Sequence, residues 1–276
     1  MASINCTLGS YVPRGSQICR RGAGRRSHRA SNLHTARVYS PSRTDVDANA
    51  IDEYNRTMCE QMGWGSCDLN PYEYHPERGL YFHLIWSGEG SIICGSQPQT
   101  VEDIVALYEQ GVTSILSLQQ PKDLDYWGVD GHALFAKAAE LGIDYVRIGA
   151  VDFDPHSLRN VLPNAVRELE RMRQTDGKSG TTYVHCTAGL GRAPATVIAW
   201  IYWCTSMDLD DAYAHLTSIR PCGPKIEAIR GATFDVLDHR HASEFEGLPI
   251  DAWRYLSADD RRRIAQRLFD FEFAMN

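Results

Sequence analysis

The stretch HCTAGLGRA, residues 185–193, places a cysteine directly after an apolar run and an arginine six residues later. A cysteine attacks an electrophile as its thiolate, which persists where positive charge or N–H donors stabilise it. Arg192 offers a planar pair of N–H donors that fits two oxygens of a phosphate group. The spacing of Cys186 and Arg192 therefore indicates nucleophilic attack on a bound phosphate ester.

The residues between these two side chains are suited to binding an anion. Gly189 and Gly191 can adopt positive φ, which lets the loop turn its backbone N–H groups inward at the start of a helix. We expect His185 to orient this loop through hydrogen bonds rather than to act as a base. The alternative is an ordinary glycine-containing turn with an incidental cysteine. The predicted phosphate-binding loop consists of Thr187, Ala188, Gly189, Leu190, Gly191 and Arg192.

A thiolate that displaces an alcohol from phosphate needs an acid to protonate the leaving oxygen. The segment VDFDPHSLR, which follows a predicted strand and leads into a predicted helix, contains two carboxyl groups. Asp152 and Asp154 are both candidates for the acid on a loop over the phosphate site. The pattern of residue types leaves the choice between them open.

Predicted strands and helices alternate along the chain, which indicates an α/β fold with a central, mainly parallel sheet flanked by helices. The apolar runs YFHLIW and SIICGS, split by SGEG, predict a hairpin, and VTSILSL, IDYVRI and TTYVH predict buried strands. A final helix is expected from Ser257, where Asp260 can close a capping box. The remaining helices are predicted at 100–111, 131–141, 158–173, 192–205, 208–219 and 225–236.

Charge is distributed unevenly along the 276 residues, whose net charge is −7. Residues 1–44 hold eight arginines and seven serines but no lysine or acid, which is typical of an organelle transit peptide; a basic nucleic-acid-binding arm is the alternative. The remainder carries 20 basic and 35 acidic residues, too acidic for a nucleic-acid binder. The longest apolar run, Val197–Cys204, is too short to span a membrane.

The eight cysteines are scattered and form no CxxC pair, so the sequence favours neither a zinc site nor a disulfide scaffold. We expect no metal and no cofactor, since the glycine loop and Arg192 supply the positive charge that the chemistry needs. We also expect the protein to be a monomer.

Five aromatic residues fall in predicted loops near the motif rather than on helical stripes. Flat rings stack on the apolar C–H faces of sugars, so these residues are candidates for a carbohydrate-binding channel. The alternative is that they pack the loops onto the sheet. They are Tyr72, Tyr74, Tyr126, Trp127 and Phe153.

The pattern HCxxGxxR resembles that of the protein tyrosine phosphatase superfamily, and the chain is similar to its dual-specificity branch. In that branch the acid stands six residues before a leucine that begins the next helix, so counting back from Leu158 implies Asp152. Most members have Ser or Thr after the arginine, where this chain has Ala193. That hydroxyl helps the thiolate to leave, so its absence implies slow hydrolysis of the phospho-enzyme.

Further segments resemble the plant glucan phosphatases of the Like-Starch-Excess-Four type, in particular the short form without a carbohydrate-binding module. They are NPYEYHP, DYWGVD, DFDPHSLR, HCTAGLGRAP and RPCGPKIEAIRGAT, within residues 70–240. The resemblance implies a plastid enzyme that removes phosphate from starch glucans, with a preference for the C3 position. It also implies that the five aromatic residues and Asp152 line a glucan channel.

The sequence thus predicts a disordered transit peptide at 1–44, a lead-in at 45–75, a phosphatase domain at 76–240 and a packed helical extension at 241–276. The expected reaction is hydrolysis of phosphomonoesters on starch or amylopectin through a cysteinyl-phosphate. Two alternatives remain open. They are a dual-specificity protein phosphatase, which the acidic body and the aromatic loops disfavour, and a non-catalytic starch-binding scaffold.

Overall fold

The computed structural model describes residues 37–39, 53, 56, 80–88, 90–174, 180–238 and 255–269. Tyr72 and Tyr74 lie outside these residues. So do most of the predicted transit peptide and lead-in, and the part of the predicted extension before Tyr255. Within the first 44 residues, where the composition predicts disorder, Arg37–Tyr39 pair with the edge of the sheet as a strand.

The described residues form a six-stranded sheet in the order β1-β2-β3-β6-β4-β5. The first three strands are antiparallel, which confirms the predicted hairpin, and β3, β6, β4 and β5 are parallel. The carboxyl ends of the four parallel strands therefore meet at one edge. The strands are β1 Arg37–Tyr39, β2 Leu80–Trp86, β3 Ser91–Gly95, β4 Val112–Ser117, β5 Asp144–Arg147 and β6 Thr181–His185.

Eight helices are present in the described part of the chain, and none of them is long and apolar enough to cross a membrane. Six match predicted helices to within three residues at each end, and the last begins one residue after its predicted start at Ser257. Their bounds are α1 Val101–Glu109, α2 Pro121–Tyr126, α3 Gly131–Glu140, α4 Pro155–Gln174, α5 Arg192–Cys204, α6 Leu209–Ile219, α7 Ile226–Asp238 and α8 Ala258–Phe269.

The six-residue helix α2 is absent from the sequence prediction, which placed Tyr126 in a loop. The helix is too short for an apolar repeat to reveal it, and it begins at Pro121, a residue that also marks turns. Asp123 closes its first turn by accepting the backbone N–H of Gln120 at 3.0 Å. The prediction of a loop at Tyr126 is therefore wrong.

Alternating strand residues send side chains to opposite faces of the sheet, and each face is covered. On β6, Val184 joins the apolar cluster beneath α4 to α8, whereas Tyr183 joins the cluster beneath α1 and α3. Helix α5 lies in the middle of the larger cluster and is buried along nearly its whole length, as its continuous apolar sequence predicted.

The last helix is joined to the rest of the domain by apolar and polar contacts. Ser257 and Asp260 form the predicted capping box, and Ile264 and Leu268 are buried in the larger cluster. Arg261 donates to the backbone carbonyls of Thr205 and Met207 beyond the end of α5, where no further helical N–H is available. The described part of the C-terminal segment is thus packed against the sheet-covering helices.

A buried ion pair connects α4 to α7. Arg159, whose side chain is 2% exposed, donates from Nε and a terminal nitrogen to the two carboxylate oxygens of Asp235, both at 2.6 Å. A bidentate pair of this kind fixes the relative position of the two helices.

We predict that Asp235→Ala lowers the free energy of unfolding by about 3 kcal/mol, because Arg159 loses two carboxylate acceptors in a buried position. The matched control is Glu140→Ala, which removes an exposed pair with Lys137 and should change stability by less than about 1 kcal/mol. Urea unfolding of both variants measures the difference. Equal effects would contradict the structural role of the buried pair.

Candidate active site

Cys186 directly follows β6, at the edge where the parallel strands end. The strands on either side of β6 continue into Gln97 and Gln119, whose side chains bond to each other at 2.6 Å. The amide of Gln119 also donates to Thr187 Oγ1 at 3.1 Å. These buried contacts hold the first residue after Cys186 between the ends of three strands.

The loop from Cys186 to α5 depends on one glycine for its shape. Gly189 has φ +70°, and a Cβ there would lie 2.3 Å from the carbonyl oxygen of Gly95, so a side chain cannot be accommodated. Gly191 has φ −121° and is the N-cap of α5. Of the two glycines expected to adopt positive φ, only Gly189 does so. The loop therefore leads straight into a helix N-terminus, an anion-binding arrangement.

Arg192, the first residue of α5, is 2% exposed and is held from several sides. One terminal nitrogen donates to Thr187 Oγ1 at 3.0 Å and pairs with Asp152 at 2.9 Å. The other donates to Asp123 at 2.5 Å and to the carbonyl oxygen of Ala150 at 2.9 Å. Its buried Nε has no acceptor among the described residues.

The structure separates the two candidate acids. Asp154 accepts the backbone N–H groups of His156 and Ser157 at 2.8 and 3.1 Å, so it caps the start of α4. Asp152 instead pairs with Arg192. Burial raises the pKa of the Asp152 carboxyl and the negative charge of Asp123 adds to this, while Arg192 opposes it; the net shift is upward. A raised pKa favours the protonated form that a general acid needs.

Phe153, next to the candidate acid, has φ +59°. This left-handed conformation is strained for a bulky side chain and persists where the surroundings impose it. The backbone N–H of Phe153 donates to Asp152 Oδ1 at 3.1 Å, so the unusual backbone fixes the carboxyl group beside Arg192.

His185 lies beneath the loop and is fully buried. Burial lowers its pKa to about 3, so its ring is neutral. Nδ1 lies 3.2 Å from the carbonyl oxygen of Cys186, which can only accept, so this nitrogen carries the proton. Nε2 then accepts from the hydroxyl of Tyr145 at 3.2 Å. These bonds orient the backbone at Cys186. Both ring nitrogens of His185 are engaged, so neither is free to act as a base.

Comparisons with known proteins agree with this arrangement. The family described as dual specificity phosphatase, catalytic domain, matches residues 95–230. Residues 95–230 are a dual specificity phosphatase domain. The match contains Cys186, Arg192 and Asp152, and it ends within α7.

Two relatives of the phosphatase domain match a larger part of the chain. The protein named phosphoglucan phosphatase DSP4, amyloplastic, from Castanea sativa, is 37% identical over 216 residues, which cover 76% of this chain and 54% of that protein. Phosphoglucan phosphatase LSF1, chloroplastic, from Arabidopsis thaliana, is 32% identical over 200 residues, covering 68% and 33%. The chain thus spans about half and one third of the length of these curated relatives.

Among solved structures, the one titled crystal structure of PTPMT1 aligns with a TM-score of 0.45 and 15% identity. The alignment covers 67% of this chain and 97% of that chain.

Three of the five aromatic residues that were predicted to bind a carbohydrate lie within the phosphatase domain. Tyr126, the last residue of α2, is 53% exposed. Trp127 is 3% exposed and packs in the smaller apolar cluster, so in this structure its ring has no open face for a sugar and instead supports Tyr126, 5.1 Å away between ring centroids. Phe153 is half-buried beside Asp152. Tyr72 and Tyr74 lie outside the described residues.

Two further side chains contribute to the phosphatase site without having been predicted. Lys225 lines a shallow cleft together with Asp152, Phe153 and Arg192, and so adds positive charge to it. Arg220, fully buried, donates to the carbonyl oxygens of Gly189 at 2.7 Å and Ala188 at 3.0 Å. Both lie in the segment RPCGPK. The sequence shows that these two side chains are basic, but it does not show that they point towards the site.

Arg220 determines which way the loop amides face. Because its guanidinium binds the loop carbonyls from one side, the N–H groups of the same peptides are turned to the opposite side, an arrangement that suits an anion there. His83 accepts from Arg220 with Nδ1 at 3.2 Å. Burial lowers the pKa of His83 to about 4, and the charge of Arg220 contributes, so His83 stays neutral as an acceptor.

No cluster of His, Cys, Asp or Glu among the described residues has the arrangement of a metal site. The cysteines beside the site, buried Cys94 and partly buried Cys222, are free thiols, and desolvation raises the pKa of each. Both are therefore uncharged.

We predict that Arg220→Lys lowers kcat/KM for a small aryl phosphate by about tenfold to a hundredfold, because a single ammonium cannot hold two adjacent carbonyls in the guanidinium geometry. Arg263→Lys, at a half-exposed position on α8, is the control and should leave kcat/KM unchanged. Steady-state kinetics on both variants, with thermal unfolding to confirm the fold, gives the answer. Unaltered kinetics in Arg220→Lys would disprove the proposed support of the loop.

Proposed function

We propose that this protein is a glucan phosphatase that hydrolyses phosphomonoesters on starch or amylopectin chains. The observation that carries the proposal is the convergence of Cys186, Arg192 and Asp152 at one sheet edge, with the exposed ring of Tyr126 on the helix whose Asp123 contacts Arg192. Both relatives reported above bear the name phosphoglucan phosphatase, which supports the same substrate class.

In the first proposed step, the thiolate of Cys186 attacks phosphorus and the bond to the sugar oxygen breaks. The loop amides and the guanidinium of Arg192 hold the other phosphate oxygens and stabilise the charge on them in the transition state. Asp152, protonated, gives its proton to the leaving sugar oxygen. The products are a free glucan hydroxyl and a phosphate bonded to sulfur.

In the second step, Asp152 accepts a proton from water, which attacks phosphorus and displaces the thiolate of Cys186. Inorganic phosphate then leaves. Ala193 is buried and offers no hydroxyl to the departing sulfur, so we expect this step to be the slower of the two. Neither step draws on a metal or a cofactor.

Helix α2 supports a glucan rather than a peptide as substrate. Asp123 contacts Arg192, and Tyr126 lies three residues further on, which puts the two side chains on neighbouring positions of one helix face. The exposed ring is therefore within about one helical turn of the phosphate site. A neutral glucan is also indifferent to the net charge of about −15 beyond residue 44, whereas an acidic phosphopeptide is repelled.

The remaining assignments are proposals about location, positional preference and partners. We propose that the protein acts in a plastid, since the relatives are named amyloplastic and chloroplastic, and that residues 1–44 are the transit peptide. We propose a preference for C3 phosphate and a monomeric state, with phosphorylated α-glucan as partner and without nucleic acid or membrane partners. Tyr72 and Tyr74 are proposed to extend the glucan channel.

The function is tested by measuring phosphate release from phosphorylated amylopectin and from a panel of phosphopeptides. We expect release from amylopectin well above that from peptides, and none from the Cys186→Ser variant, which should still bind glucan. Positional labelling of the remaining phosphate then reports the C3 preference. Activity on peptides alone would overturn the glucan assignment, and glucan binding without any turnover would favour a scaffold.

The role of Tyr126 is tested by comparing Tyr126→Ala with Tyr108→Ala, since Tyr108 on α1 is similarly exposed at 50%. We expect Tyr126→Ala to lower kcat/KM on amylopectin by about tenfold, as loss of one stacking contact worth about 1.4 kcal/mol implies, with little change on phenyl phosphate. Tyr108→Ala should affect neither substrate. Similar losses of kcat/KM on both substrates would indicate that Tyr126 supports the structure of the site and does not bind glucan.

A further inference from the structure

Arg192 is anchored along one side by acceptors that come from outside its own loop. One terminal nitrogen, NH1, donates to Asp123 Oδ2 at 2.5 Å and to the carbonyl oxygens of Ala150 and Leu118 at 2.9 and 3.4 Å. Asp123 is the charged member of this set, and its side chain is 10% exposed. Its carboxylate also accepts the N–H of Gln120, which fixes it at the start of α2.

The other edge of the same guanidinium has a different character. Nε is buried and has no acceptor in the described part of the chain, and NH2 contacts Thr187 and Asp152. Nε and NH2 form a parallel pair of donors that matches two oxygens of a phosphate. An arginine that was free to rotate would spend part of its time with this edge turned away.

We propose that Asp123 is a positioning residue, which anchors NH1 of Arg192 so that the Nε–NH2 edge faces the loop and which places a negative charge beside Asp152. The proposal rests on the phosphatase chemistry proposed above but not on glucan being the substrate. Asp123 acts through Arg192 and Asp152 and does not itself contact the phosphate.

The charge of Asp123 has a consequence for the pH range of the reaction. Arg192 and Asp123 are the charges that act on Asp152, Lys225 and Asp154 line the same cleft, and Cys186 interacts with Arg192 from the loop. Asp123 raises the pKa of Asp152, and Arg192 lowers it. Without the charge of Asp123, Asp152 loses its proton at lower pH. Because the first step needs that proton, the alkaline limb of kcat/KM moves to lower pH.

Two substitutions separate orientation from charge. Asp123→Asn keeps an oxygen that accepts from NH1 but removes the charge, and Asp123→Ala removes both. The matched controls are Asp125→Asn and Asp125→Ala, two residues away on the same helix and exposed. The substrate is phenyl phosphate, whose leaving group is basic enough to need protonation and which makes no demand on a glucan channel.

We expect Asp123→Asn to move the alkaline limb of kcat/KM down by about one pH unit while its maximum stays within about threefold of wild type. Asp123→Ala should show the same shift and a further loss of about tenfold or more at the maximum, because Arg192 is no longer held in line. Asp123→Glu, which keeps the charge, should restore the wild-type limb. Both Asp125 variants should match wild type.

Wild-type pH profiles in Asp123→Asn and Asp123→Ala, or equal changes in the Asp125 variants, would overturn the proposal. Thermal unfolding identifies a variant that fails to fold; if Asp123→Ala does so, the limb positions of Asp123→Asn and Asp123→Glu decide the question. Activity on phenyl phosphate without activity on amylopectin would refute the glucan assignment and leave the role of Asp123 intact.

Discussion

The geometry of the site depends on the contacts that the guanidinium of Arg192 makes. This guanidinium is reached by Thr187 from its own loop, by Asp123 from the helix after β4 and by Asp152 from the segment after β5. These groups meet because the strands that carry them are parallel and end at one edge. A buried guanidinium is costly unless its donors are satisfied, so the same contacts that orient Arg192 also hold three segments of the chain together.

On the other side of the loop, the buried positive charge contacts backbone carbonyl oxygens. Arg220 donates to the loop carbonyls, and His83 and His185 stay neutral because burial disfavours their charged forms. Positive charge is therefore applied to carbonyl oxygens behind the loop, while the amides are left for the front. The close approach of Gly189 to Gly95 brings the loop against β3, so its shape is a property of the whole sheet edge and not of the loop alone.

Much of the fold could be predicted from the sequence, because apolar periodicity, caps and turn residues act over short distances along the chain. The hairpin, the parallel strands and seven helices follow from such signals, including the capping box at Ser257. The failures arise where such short-range signals are missing or do not decide the outcome. Helix α2 is shorter than any periodic pattern, and Trp127, next to an exposed tyrosine, is buried by packing against residues distant in sequence.

The sequence by itself determined the candidate reactive unit, since Cys186, the glycines and Arg192 lie within one turn between a strand and a helix, where spacing along the chain sets spacing in space. Tertiary structure alone decided which groups hold that unit. Asp123 stands 69 residues from Arg192, and Arg220 stands 31 residues from the glycine it supports. Contacts of this range depend on strand register and helix packing, and no local pattern of residue types encodes them.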